Sequence, residues 1–377
     1  MTSPIRLLGL LAAVAAGVFV ATVPAQAAGG EDGVSGHGVF VQTNDPGANS
    51  IAAFKRNSDG TLTYTTSYAT GGQGGREAGS GSDPLATQGS LQLVPEEGLL
   101  LAVNAGSNTV SAFRVRGDKL RLSQVIASGG QFPTGLALHG GLLYVLNAGG
   151  DGSVSGYRVI GGRLHPIEGS TRTLGLGNTP NPFFLKSPAE VGFTPDGDHL
   201  IVTTKTNNTV DVFSVGEDGL LSAAPVKNQE APVPFAFVFD HAGRMVLNFA
   251  GTSSLETFNV NPDNTITPVS APVSDTQAAL CWITPSRGYE YTSNTGSGSV
   301  SQFRVAGDGT VVLVNATAAS NIPGATDSAA TGGQFLYVQS GSSGTVHAFS
   351  IGDGGSLTRI QIANIPDGGS QEGIAAN

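Results

Sequence analysis

An all-β ring of seven four-stranded blades, a single β-propeller, is the fold this sequence predicts, and three observations predict it. A unit of about 45 residues recurs along the chain, each copy ends one strand in an aromatic, and the C-terminus supplies a strand the first copy lacks.

The aromatics are Phe54, Phe113, Tyr157, Phe213, Phe258, Phe303 and Phe349, separated by 59, 44, 56, 45, 45 and 46 residues. One blade needs about this length, so the two longer intervals are insertions. Leu100–Val115 and Glu290–Val305 align without a gap, each a β-rich run, a polar loop and a second run. In 209–215 the alternation sets Val210, Val212 and Ser214 on one strand face. Asp-Gly turns at 57–60, 217–219, 307–309 and 353–355 then predict a hairpin into an outer strand. Ahead of each first run lies a further strand, as in 188–193 and 234–239. The first unit starts at Val39 with almost nothing before it, and 372–377 reads as its missing inner strand. Pairing the two ends closes the ring and removes open sheet edges.

Residues 1–27 have a secretory layout: Arg6, an apolar run over 7–20, and Ala25-Gln26-Ala27 as a cleavage site. The expectation is an exported, extracellular propeller over 28–377, with no membrane attachment after cleavage. The lone cysteine, Cys281, leaves no internal disulfide and sits in an apolar strand as a packing residue. Losing Arg6 takes the formal charge from −10 to −11, and no basic patch with interleaved aromatics relieves it. Nucleic acid is therefore excluded as a partner, and the partner expected is a small molecule bound by a monomer. The six histidines lack metal-ligand spacing, so neither metal nor cofactor is expected.

The insertions, 67–90 and 165–186, fall between blades on one face of the ring, where long loops commonly carry function. Asn44, Asn104, Asn147, Asn248 and Asn294 recur at the ends of second strands, where Asn caps turns. The fourth unit breaks this pattern with Thr203-Thr204-Lys205. Aligning the channel strands places Glu190, Asp327 and Glu372 at similar depths, with Gln88 nearby. Glu190 and Lys205 are the catalytic candidates, a base and an oxyanion-stabilising cation, against the plainer reading of a structural ion pair. Gln88, Lys186, Asp327 and Glu372 are the candidates for holding substrate.

The order strand, Thr194-Pro195-Asp196-Gly197, strand, Asn207-Asn208, aromatic-ended strand, Gly219-Leu220 resembles the seven-bladed lactonase family that includes 6-phosphogluconolactonase and 3-carboxymuconate cyclase. The resemblance implies a propeller acting on a lactone or related organic acid. Where that family's channel strand carries Pro-Arg-His, this chain has Pro188-Ala189-Glu190. With few cations near the channel, a less charged lactone is expected in place of a phosphorylated or tricarboxylate substrate. Two functions stand open on sequence: a lactonase-like hydrolase or lyase, and a non-catalytic extracellular binding propeller.

Overall fold

The computed structural model of the protein describes residues 37–377. The proposed secretory segment lies outside the described residues. Seven antiparallel sheets form the blades, five of four strands and two with one short extra strand. Each blade's innermost strand contacts the innermost strand of the next, all the way round. Among the described residues the only helical pieces are two short 3₁₀ turns.

Why the blades adhere follows from where the apolar faces point. The inner strands are buried on both faces, as in Leu99–Asn104, because each sheet is sandwiched between two others. The apolar residues gather into seven clusters, one for each junction between neighbouring blades. All seven marker aromatics lie in these seams, at most 3 % exposed, so the sequence repeat is a repeat of blade-to-blade packing. A polar latch accompanies it: the hydroxyls of Tyr144, Tyr291 and Tyr337 donate to the carbonyls of Gly219, Gly355 and Gly60, 2.7–2.9 Å away in the next blade's turn. Those three glycines have φ of 75–83°, a backbone shape other residues adopt only with strain.

The first blade is completed from the far end of the chain. Ile374–Ala376 pairs antiparallel with Gly38–Gln42 as its innermost strand. Gly38 N–H donates to Asn377 Oδ1 at 2.6 Å, and the Arg56 guanidinium reaches the Asn377 carbonyl at 3.1 Å. Deleting 374–377 is expected to lower the melting temperature by at least about 10 °C and broaden the transition, since the ring regains two open edges. Calorimetry of the truncated and full chains checks this.

Candidate active site

The asparagine column proves to be structural, because its members spend their amides on the backbone and hydroxyls around them. Asn44 both donates to and accepts from Gly75, and Asn248 bridges Ala236 N–H and the Cys281 carbonyl. Asn104 and Asn294 each bond two hydroxyls on the neighbouring strand. In the fourth blade Thr204 takes the corresponding pairing position, opposite Thr209. Lys205 then stands where the second and third blades have the buried Ala105 and Ala148.

That substitution is matched by the first insertion, which enters the channel. Ala78 and Phe183 form a parallel bridge that joins the two insertions. Asp83 Oδ1 accepts the Ala86 N–H at 2.6 Å, holding Ala86 in a left-handed turn with φ of 48°. The chain then crosses the ring. Thr87 Oγ1 and Gln88 N–H both donate to the Ala189 carbonyl of the fourth blade, at 2.6 and 2.9 Å. Trp282 Nε1 of the sixth blade donates to the Thr87 carbonyl at 3.1 Å. Lys205 Nζ clamps this segment, donating to Ala86 O at 2.6 Å and Pro188 O at 3.1 Å. An ammonium has three donors, so one N–H remains uncommitted.

Beside this clamp, on the insertion face, is a cavity of about 320 Å³. Lys205, Asp83, Ser82, Cys281 and Thr295 supply its polar lining, and Phe184, Leu185, Val233 and Phe235 much of the rest. Lys205 Nζ lies 5.6 Å from the Phe235 ring centre, and Phe235 packs edge-on against Trp282. Burial pulls the ammonium below the ordinary lysine value, opposed by the charges of Glu77 and Asp83 and, more weakly, Cys281 and Glu372. Burial also pushes Asp83 up, and pushes Glu372 well up, where the field and proximity of Asp83 add to the effect. Desolvation thus makes each of these carboxyls a stronger base than an exposed one. Glu372 is fully buried with both oxygens unpartnered, whereas Asp83 lines the cavity, so Asp83 is the member that can meet a ligand. Burial pushes the Cys281 thiol up to about 12, which leaves it a poor nucleophile.

The expected Glu190–Lys205 pair does not form. Among the described residues no ion pair joins them, and the two line different cavities. Glu190 opens toward the opposite mouth, near Phe193 and Thr194, and its oxygens accept from Phe237 N–H at 2.6 Å and Gln88 Nε2 at 3.2 Å. The inserted segment separates the two roles: Ala86 engages Lys205 and Gln88 engages Glu190. Gln88 is accordingly a brace, with its Oε1 also accepting from Ile283 N–H at 3.0 Å. Lys186 is exposed on the second insertion and does not line the cavity. Asp327 is buried, accepts the N–H groups of Ser328 and Ile374, and is pushed up to about 7 by burial. Lys205 and Glu372 are thus brought to one cluster, while Asp83 and Glu77 complete it unforeseen. Their one sequence signal is that they are the only acids in the Gly-rich stretch 70–90.

The family model described as "Lactonase, 7-bladed beta-propeller" matches residues 170–273, from the second insertion through the fifth blade. The 6-phosphogluconolactonase of Klebsiella pneumoniae is 36 % identical over 59 residues, 16 % of this chain and 18 % of that enzyme. Among solved structures, a periplasmic gluconolactonase of Pseudomonas aeruginosa superposes with a TM-score of 0.73 at 18 % identity, covering 91 % of this chain and 99 % of that one. A protein from Lactobacillus plantarum gives 0.70 at 18 % identity, covering 89 % and 98 %. The structural likenesses show the fold, a seven-bladed β-propeller, and the family model likens residues 170–273 to the lactonase propellers.

Proposed function

We propose that this lactonase-like propeller is an exported, monomeric hydrolase that opens a small, weakly charged lactone in the cavity beside Lys205. The observation that carries the reading is the meeting of one uncommitted ammonium N–H with the Asp83 carboxyl at an otherwise apolar cavity. The secretory layout of 1–27 supports export.

In this reading Asp83, not Glu190, is the base. It takes a proton from water as the oxygen attacks the lactone carbonyl carbon, and the Lys205 N–H meets the oxyanion that develops. Collapse of the tetrahedral adduct breaks the ring C–O bond, and Asp83 returns the proton to the departing alkoxide. The product is a hydroxy acid. Burial in the cavity wall keeps Asp83 more basic than an exposed carboxylate.

Turnover of a lactone panel by the mature protein, followed by acid release, tests this. Asp83→Asn is expected to lower kcat by about 10²–10⁴-fold. The rate of the unmodified protein is expected to rise with pH as Asp83 loses its proton and to fall as Lys205 deprotonates. Its acid limb then lies above the ordinary carboxylate range and its basic limb below the ordinary lysine value. No turnover of any lactone would leave the cavity as the site of a non-catalytic binding propeller.

A further inference from the structure

The hydrogen-bonding capacity of the cavity is nearly spent before a ligand arrives. Ser82 Oγ lies 2.5 Å from Ser342 Oγ, and Thr295 Oγ1 donates to the Ala325 carbonyl at 2.9 Å. Lys205 has committed two of its donors, and Asp83 Oδ1 already accepts the Ala86 N–H. What remains is one N–H and one carboxyl edge, which a lactone carbonyl and an attacking water require, beside the spare lone pairs of the Ser82 and Thr295 hydroxyls. A polyhydroxylated ring would bury its hydroxyls against Phe184, Leu185, Val233 and Phe235. Each hydroxyl left unpaired there costs about five- to a hundredfold in affinity. A phosphate fares worse, since the cavity's only cation is surrounded by Glu77, Asp83 and Glu372.

The apolar surface also runs out of the cavity. Phe184 stands edge-on to Phe183 with ring centres 5.2 Å apart, and Phe183 is 41 % exposed on the rim. At about 320 Å³ the cavity is at the small end for ligand sites, about 300–1,000 Å³, so it holds a ring and a short chain. A longer chain leaves over the Phe183 shelf.

We infer that the substrate is a lactone carrying an alkyl or acyl substituent, with the ring carbonyl at Lys205 and the chain lying along Phe184 toward Phe183. This rests on lactone hydrolysis at the same cavity, and it assigns the second insertion the task of choosing the substituent. The Ala78–Phe183 bridge ties this insertion to the first, so the segment that carries the base is fastened to the one that forms the wall.

The experiment pairs turnover with binding. Hydrolysis is measured for γ-lactones bearing saturated chains of zero to eight carbons, beside gluconolactone and 6-phosphogluconolactone. Calorimetry in parallel measures the corresponding alkyl γ-lactams, whose amide resists opening. The expected result is a kcat/KM that rises about fourfold per methylene over the first few carbons, with lactam affinity rising in step. Phe184→Ser is expected to halve the slope of log affinity against chain length. A flat slope in both series, or a preference for gluconolactone or its phosphate, overturns the inference and leaves the hydrolase standing. Lactam binding that strengthens with chain length, with no lactone hydrolysed, supports the ligand class and removes the hydrolase.

Discussion

Lys205→Met is expected to lower kcat/KM for lactones by about 10²–10³-fold, the cost of removing one donor from a developing oxyanion. The same change is expected to lower stability by about 3 kcal/mol, because it removes two functions of one buried group. The carbonyls of Ala86 and Pro188 lose their donor, and Glu77, Asp83 and Glu372 lose the only cation among them. Denaturant titration reads the stability, and turnover at a fixed fraction folded reads the chemistry. Lys205→Arg separates them: a guanidinium keeps the charge but not the single-point geometry, so stability is expected to recover more than rate. A Met variant with unchanged rate would refute the oxyanion role, whatever its stability.

Stability is expected to increase by on the order of 4 kcal/mol as the pH falls from 8 to 6. Burial pushes Glu77 up to about 8, and Asp327 and Glu290 up to about 7. A carboxyl whose folded pKa exceeds its unfolded value takes up a proton on folding. Its cost is absent below the unfolded pKa, near 4, and is complete only above the folded one. These three therefore weaken the fold progressively up to about pH 7–8. His347 acts oppositely: burial lowers it from 6.5 to about 4, so its contribution is full above 6.5 and is lost on further acidification. Three acids against one histidine place the optimum below neutrality. Unfolding curves at pH 6, 7 and 8 check the trend, and Glu77→Gln is expected to flatten it. A curve rising toward pH 8 would contradict the assignment of protons to the buried acids.

The ring was legible in the sequence because a repeat reports packing that is identical from blade to blade. The spacing from Phe213 to Phe258 to Phe303 and the stray strand at 374–376 define blade number and closure. The site was only half legible, since it is made where the repeat is broken. Lys205 stood out as a departure from its neighbours' pattern. Glu190 looked equally well placed, but alignment of channel strands says nothing about what occupies the channel. The segment around Ala86–Gln88 engages Lys205 with one residue and Glu190 with another, and that arrangement depends on contacts such as Thr87 to Trp282, 195 positions apart. Asp83 and Glu77 had no repeat to depart from, and a Gly-rich insertion has no periodicity to reveal its path.

In a ring whose blades touch only their neighbours, disorder at one seam spreads by neighbour-to-neighbour terms, as in a one-dimensional chain bent into a circle. The segment 86–89 adds spokes to that circle, joining the start of the second blade to the third, fourth and sixth through Leu136, Ala189 and Trp282. Loosening any one of those blades slackens the others at the hub. The molecule therefore trades the piecewise fraying of a repeat array for unfolding as one unit. The same hub makes its folding wait for contacts between distant parts of the chain, which places it among the slow folders.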